Sequence, residues 1–516
     1  MNLSHLLAHL PGAQVSTTAD TAITGVSYDS RQVQPGHLFV AIKGYHVDGH
    51  HYIAQALASG ARAIIVDQRH YQPTDALQSA LAQAQALLII VPDSRLTLSP
   101  LAAAWYQFPA QQLRVVGITG TKGKSTTTAL VSCALECGGL TTGMLTTVDF
   151  KVGPRQWPNT TRQSTPEAPE VQALLREMAD ADCAYAVLEA TSHALSPTWK
   201  RLADCAFDIA VFTNITHEHL DYHGSFEQYR SDKAQLFAML GQSAQKSQHT
   251  PYAIVNADDP NHRFFLDAAP AHAQRLTYGL HPNADIRATI EAASPAGTRF
   301  HVQSPWSHGT VQIQLPGAFN VANALAAVSV ALTQGIALDQ VAQALATVTG
   351  IRGRMQRIDQ GQPFGLIIDY AHNPDSFTQV LSMLRPITAG RIIIVFGSAG
   401  ERDRAKRPLQ GAIAAQYCDL LILTDEDPRR EDRESILADI AAGAEQAGKQ
   451  RGSGYLAIPD RSEAITTALS IAEAGDLVLL LGKGHETSIE YADGKHPWDE
   501  VATAQAALRG LGYHGR

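Results

Sequence analysis

Cysteine is scarce in this sequence: five in 516 residues, at positions 133, 137, 183, 205 and 418, with no C-x-x-C pair. An odd count without paired spacing argues against a disulfide framework and for a reducing compartment. Long apolar runs are also missing. Stretches such as 86–91 and 477–481 fall far short of the ~20 residues that span a bilayer. The opening residues, MNLSHLLAHLPGAQ, lack the basic n-region and apolar h-region of a secretory signal. Positive charge is not in excess: 40 Lys and Arg face 49 Asp and Glu, a net charge of -9. That argues against broad binding to nucleic acid or an anionic membrane, and leaves room for a local basic pocket. With 45% apolar and 17% charged residues, the chain is not a disordered one. The expectation is a soluble, cytoplasmic protein with no nucleic-acid or membrane partner.

What is present is a repeated alternation of short Val/Ile/Leu runs with Ala-rich helical stretches. Strands are predicted at 61–67, 87–91, 113–118, 185–188, 209–213, 253–256, 365–369, 391–396, 420–424 and 476–481, with a covering helix at 321–334. Continuous apolar runs suit strands covered on both faces, so the fold class is α/β with mainly parallel sheets. Alternation within 297–316 predicts a local antiparallel addition. At ~150 residues per domain the length suggests about three domains. Breaks near 100–112 and 350–362 divide the chain into 1–100, 101–350 and 351–516.

The strongest local signal is Val115-Val-Gly-Ile-Thr-Gly-Thr-Lys-Gly-Lys-Ser-Thr. An apolar strand enters a Gly-rich turn that opens a helix. Gly120, Thr121, Lys122, Gly123, Lys124, Ser125 and Thr126 make a phosphate cradle of backbone N–H groups at a helix N-terminus. Lys124 supplies a point charge and the Ser125 hydroxyl a Mg²⁺ ligand. The first Gly of a strict Walker A would fall on Ile118, so the loop is a variant. By itself it specifies only a nucleoside triphosphate.

Four other features surround it. Glu189 ends an apolar run at a strand's carboxyl end, where α/β sites form, and suits Mg²⁺. His217, His219 and His223 follow the next strand; their spacing is weak for structural zinc. One histidine near Mg²⁺ and phosphate is the better reading, with the others as loop or capping residues. The segment 226–237 reads as a helix with Phe226, Tyr229, Leu236 and Phe237 inward, and composition alone makes Lys233 a surface lysine. Asn320 and Asn323, three apart, share a helix face and suit a purine or ribose; a helix cap is an equal alternative for Asn320.

In this order these elements resemble the Mur ligase family of ATP-dependent amide-forming enzymes. Asp369-Tyr-Ala-His-Asn-Pro, Phe396-Gly-Ser-Ala-Gly-Glu-Arg-Asp-Arg, Asp427-Pro-Arg and Gly482-Lys-Gly-His-Glu extend the likeness to the C-terminal segment. Tyr28-Asp-Ser-Arg and Gly44-Tyr-His-Val-Asp-Gly extend it to the branch that adds the third residue of the peptidoglycan stem peptide. The resemblance implies three domains: one for a UDP-linked substrate, a central P-loop-type ATPase domain, and a Rossmann-like C-terminal domain for an amino acid. It implies a monomer that uses ATP and Mg²⁺ to join a diamino acid to UDP-N-acetylmuramoyl-L-alanyl-D-glutamate through an acyl phosphate.

The resemblance also implies roles residue by residue. Lys124 bridges phosphates. Ser125, Glu189, His219 and Lys233 serve Mg²⁺, with Lys233 carbamylated by CO₂. Asn320, Asn323, Arg354, Asp369 and His372 contact ATP. Ser30, Tyr45 and His46 lie near the uridine, and Ser164, Thr165, Ser192 and Arg201 hold the muramoyl dipeptide. Arg402, Asp427, Arg429, Gly482 and Glu486 form the amino-acid site. There Arg429 suits a distal carboxylate, as in meso-diaminopimelate. Asp427 stands where those enzymes carry Asn and suits an ammonium, as in L-lysine or L-ornithine. Two other readings remain: a folylpolyglutamate- or cyanophycin-type ligase, which would not need the Asp29-Ser30-Arg31 region, and a nucleotide-binding regulator, which would have lost Lys124, Glu189, His219 or Lys233.

Overall fold

The computed structural model describes residues 1–515 apart from 17–19, 45–46, 162, 218–219, 244–245 and 247. Tyr45, His46 and His219 therefore lie outside the described residues. The chain divides into two compact units, Met1–Ala284 and the remainder from Asp285. Both are mixed α/β with mostly parallel sheets.

The first unit holds two sheets. One has five strands in the order Gln14–Val15, Leu87–Val91, Ala63–Asp67, His37–Val40, Gly25–Ser27. All its pairs are parallel except the first. The other runs Gln274–Gly279, Tyr252–Asn256, Ile209–Phe212, Arg114–Thr119, Tyr185–Glu189, Thr142–Leu145, parallel throughout. An antiparallel extension, Asp149–Val152 and Arg155–Pro158, follows. Every residue of Tyr185–Glu189 and Ile209–Phe212 is buried, which is why these strands read as unbroken apolar runs. Arg114–Thr119 lies between them, with Glu189 opposite Ile118 and Phe212 opposite Thr119. Parallel pairing in this register delivers three strand-end loops to one edge, where α/β folds bind ligands.

The predicted strands appear with ends moved by a residue or two, the usual fraying of such boundaries. The segment 100–112, read as a break, opens inside a helix. Pro100 lies inside the helix Ser94–Trp105, whose N-cap Asp93 accepts from the N–H groups of Arg95 and Leu96. The chain leaves that helix beyond Trp105, within 100–112.

The second unit begins with an antiparallel meander, Ile286–Ser294, Gly297–Gln303, His308–Ile313, one strand more than the alternation predicted. The helices Ala318–Thr333 and Leu338–Thr347 follow. Its six-stranded sheet has the order Gln356–Arg357, Gly365–Asp369, Leu477–Leu481, Ile392–Phe396, Leu420–Leu423, Tyr455–Ala457. Only the first pair is antiparallel. A hairpin, Ser488–Tyr491 with Gly494–Pro497, stands beside it. All five cysteines are free. Among the described residues no helix is long and apolar enough to cross a membrane.

Candidate active site

In the first unit the strand Arg114–Thr119 runs into a glycine turn that opens the helix Lys124–Glu136. Gly123 caps the helix with φ +84°, a conformation that L side chains resist. At Gly120 a Cβ would lie 2.0 Å from Thr213 Oγ1 and 2.9 Å from the Asn214 carbonyl, so only glycine fits. The turn is held from the neighbouring strand end. Thr121 N–H donates to Asn214 O (2.7 Å), and Lys122 N–H to Asn214 Oδ1 (3.0 Å). Thr213 Oγ1 donates to Lys122 O (2.7 Å). Thr121 Oγ1 lies 3.0 Å from Tyr229 OH, and Thr126 is buried in the helix.

Two ammonium groups converge on this turn. Lys124 Nζ donates to the carbonyls of Gly120 (3.1 Å) and Thr121 (2.9 Å). Lys233 Nζ donates to the same Gly120 carbonyl (2.7 Å) and lies 4.5 Å from the centre of the Tyr229 ring. Lys233 is only 2% exposed, which overturns the expectation of a surface lysine. Two cations at one helix N-terminus make a strongly anion-attracting point.

Glu189 stands next to this point. Its carboxylate accepts from Ser125 Oγ (2.7 Å), Thr147 N–H (2.9 Å) and Thr147 Oγ1 (3.0 Å). A hydroxyl and a carboxylate are the hard-oxygen donors Mg²⁺ prefers, so the residues fit that cation. Among the described residues no cluster of three His, Cys, Asp or Glu forms a metal site. His217 stacks on Phe226, centroids 4.7 Å apart. His223 is neither a loop nor a capping residue: its ring is buried between Asp232 and Ser192.

A cavity of about 420 Å³ brings Lys124, Lys233, Ser164, Thr165, Ser192 and Arg201 together, with Gln163, Thr191, His193, Trp199 and Tyr229. Arg201 pairs with Glu167 (2.8 Å) and donates to the Thr165 carbonyl (3.1 Å). Glu167 also holds Arg95 (3.0 Å), and Tyr28 OH donates to Glu170 (2.7 Å). The helix Ser94–Trp105 is thereby tied to Ala168–Asp180 at the cavity's side. Ser30 is outside this wall; its Oγ donates to Gln55 Oε1 (3.2 Å). Sequence reasoning missed Trp199, Thr147 and Glu167, and read Tyr229 as core only. No motif marks them, because their contacts come from distant segments.

In the second unit, Gly317 caps the helix Ala318–Thr333 and Asn320 lies inside it, so Asn320 is not the cap. Asn320 Nδ2 donates to Pro316 O (2.8 Å), and Asn323 Nδ2 to Asn320 Oδ1 (3.2 Å). Around Tyr370, three further sequence candidates meet. The Arg354 guanidinium lies 4.7 Å from the ring centre. His372 Nδ1 is 3.0 Å from the Tyr370 carbonyl. Asp369 accepts from the N–H groups of Met355 and Ala371 (both 2.8 Å); burial raises its pKa and Arg354 opposes that. Tyr370 OH reaches Glu486 (3.4 Å). His485 beside it is pushed down to about 3 by burial, aided by Arg354 and Arg352.

Asp427 and Arg429 follow Leu420–Leu423, Gly482 and Glu486 follow Leu477–Leu481, and Arg402 follows Ile392–Phe396. Lys483, wholly buried, pairs with both Asp427 (2.8 Å) and Glu486 (2.6 Å). Asp427 also accepts from Glu490 N–H (2.9 Å). Arg429 donates to the Gly400 carbonyl (3.3 Å), and its buried Nε has no hydrogen-bond acceptor. It stands 3.4 Å from Glu490 Oε2. Arg402 is exposed. Glu426, not singled out from sequence, touches the space beside Gly482 (3.4 Å); burial raises its pKa against Lys406, His372 and Lys483.

Three family models cover most of the chain: "Mur ligase family, catalytic domain" over residues 22–106, "Mur ligase middle domain" over 118–331 and "Mur ligase, glutamate ligase domain" over 353–484. The chain belongs to the Mur ligase family. This Mur ligase is 55% identical to the UDP-N-acetylmuramyl-tripeptide synthetase of Roseiflexus sp. (strain RS-1), over 100% of both chains. It is 38% identical to the UDP-N-acetylmuramoyl-L-alanyl-D-glutamate--2,6-diaminopimelate ligase of Geobacillus thermodenitrificans (strain NG80-2), over 99% of both. A solved structure of a ligase with that second name matches with TM-score 0.66 and 31% identity, over 95% of each chain.

Proposed function

We propose that this Mur ligase joins a diamino acid to the D-glutamate γ-carboxylate of UDP-N-acetylmuramoyl-L-alanyl-D-glutamate, using ATP, in cytoplasmic peptidoglycan precursor synthesis. The observation that carries the reading is the shared cavity, in which Lys124 and Lys233 stand with Ser164, Thr165, Ser192 and Arg201. A phosphate chain and a substrate carboxylate can meet there. Full-length likeness to ligases named for this substrate supports it. So does the match over 22–106, the region a folylpolyglutamate- or cyanophycin-type ligase would not need.

The chemistry follows from the poor electrophilicity of a carboxylate. The γ-carboxylate attacks the γ-phosphorus of ATP, ADP leaves, and an acyl phosphate forms. The acceptor amine adds to the acyl carbon and loses a proton, and phosphate departs as the amide forms. Both steps bring anions together, so positioning and charge neutralisation dominate. Lys124 neutralises phosphate oxygens. Ser125, Glu189, His219 and carbamylated Lys233 would hold Mg²⁺, which supplies further neutralisation when bound. Asn320, Asn323, Arg354, Asp369 and His372 would contact ATP. Ser30, Tyr45 and His46 would take the uridine end. In this division of labour 1–100 serves the UDP substrate, 101–350 ATP, and 351–516, with Arg402, Arg429, Gly482 and Glu486, the amino acid.

For the acceptor we favour meso-diaminopimelate. Lys483 pairs with Asp427, which offsets its charge toward a distal carboxylate, and Arg429, itself 3.4 Å from Glu490, keeps a buried Nε without a hydrogen-bond acceptor; relatives named as 2,6-diaminopimelate ligases support the choice. Phosphate release with the UDP-muramoyl dipeptide, ATP and Mg²⁺ is expected with meso-diaminopimelate and not with L-lysine or L-ornithine. Arg429→Ala should raise the KM for diaminopimelate about 30-fold or more, the effect of removing one member of a buried charge pair. Release with lysine alone would overturn the acceptor assignment. No release with any of the three, from folded protein that binds ATP, would overturn the ligase reading.

A further inference from the structure

A buried chain of polar groups runs into the cavity wall from behind. Asp232, on the helix Phe226–Ala238, accepts from Gln228 Nε2 (2.7 Å) through Oδ1 and lies 2.7 Å from His223 Nδ1 through Oδ2. His223 Nε2 lies 3.0 Å from Ser192 Oγ. The His223 and Asp232 side chains are 0% and 3% exposed, and Ser192, at 2%, lines the cavity. The rings of His193, Tyr222 and Tyr229 pack around the imidazole at 4.5–5.3 Å between centroids, fixing its plane.

The donor inventory sets a direction along this chain. A carboxylate only accepts, so Nδ1 carries the proton that faces Asp232, and in a neutral imidazole that is the ring's one N–H. Nε2 is then an acceptor, and the Ser192 hydroxyl must donate to it. The remaining lone pairs of Ser192 are left for the cavity. We propose that Asp232 and His223 are positioning residues that lock the Ser192 hydroxyl as an acceptor for an N–H group, such as a peptide amide, of the bound substrate. This rests on the reading that the cavity takes the muramoyl dipeptide.

The test is steady-state kinetics on Asp232→Asn, Ser192→Ala and the double variant, with the wild type as control. An asparagine amide facing Nδ1 favours the opposite tautomer, which turns the Ser192 proton into the cavity; loss of the right tautomer is how such a carboxylate acts in a Ser-His-Asp triad. Asp232→Asn should raise the KM for the UDP-muramoyl dipeptide about tenfold and leave the KM for ATP unchanged. That constancy separates the effect from any disturbance of neighbouring Lys233. In the Ser192→Ala background the same change should add nothing, because residues acting through one hydroxyl are not additive. A full effect of Asp232→Asn in that background, a parallel rise in both KM values, or no effect would overturn the proposal. If Ser192→Ala alone leaves the dipeptide KM untouched, the role of Ser192 fails and the proposal with it. A wild type that shows no dipeptide-dependent turnover fails the ligase reading itself. Should Asp232→Asn not fold, His223→Gln and His223→Leu decide. The glutamine amide keeps one donor and one acceptor and should hold the dipeptide KM near the wild-type value, whereas leucine should raise it. Equal effects of the two would overturn the proposal.

Discussion

Lys233→Ala is expected to lower turnover by at least about 10³-fold, the scale of removing a preorganised charge from a site where phosphoryl charge develops. The fold should survive. Truncation removes a buried ammonium whose desolvation is costly. The Gly120 carbonyl it engages still accepts from Lys124 Nζ at 3.1 Å, so that carbonyl keeps a donor. A stability loss of about 1–2 kcal/mol, or roughly 2–8 °C in Tm, is the expected scale. Phosphate release and a thermal melt on the same preparation check both halves. Near-normal activity would remove Lys233 from the chemistry. Partial rescue by added formate or acetate would support the carbamate, since a short carboxylate replaces the anion that alanine cannot form.

Arg461→Ala should destabilise the second unit by about 3–5 kcal/mol, the cost of breaking a buried ion pair from one side. Arg461 is 1% exposed. It donates through Nε and Nη2 to Glu500 (2.9 and 2.5 Å), through Nη1 to the Asp425 carbonyl (3.0 Å) and through Nη2 to the Leu481 carbonyl (2.9 Å). Without it Glu500 retains the Trp498 indole N–H (2.6 Å) but loses its counter-charge, and two carbonyls lose a donor. Those carbonyls begin the segments that carry Asp427 and Arg429, and Gly482 and Glu486. Any folded remainder should therefore show a raised KM for the amino acid with the KM for ATP less affected. Urea unfolding of wild type, Arg461→Ala and the double variant Arg461→Met/Glu500→Leu tests the cause. The apolar double variant should recover most of the loss, because it leaves no unpaired buried charge. If it is no better than the single variant, the loss comes from packing or from the carbonyls.

The strands and the phosphate turn were legible in the amino-acid order because their causes are local. A strand covered on both faces must be apolar at every position, as Ile392–Phe396 and Leu477–Leu481 are. A backbone with no room for a Cβ must be glycine, as at Gly120. Local signals also failed in identifiable ways. The strand Ile286–Ser294 escaped because a register shift between Ile290 and Ala292 breaks its alternation.

What pattern could not supply is the pairing of charges across the chain. Lys233 reads as a surface lysine until the sheet brings the Gly120 carbonyl, 113 residues away, to its ammonium. Asp427 reads as a lone acid beside Arg429 until the fold sets Lys483 against it from 56 residues away. His223 looked like a loop residue until Ser192 and Asp232 closed on its ring. Composition and periodicity record which face of an element is buried. The partner a buried polar group finds depends on which loops the strand order delivers to the same edge, and that order exists only in the folded chain.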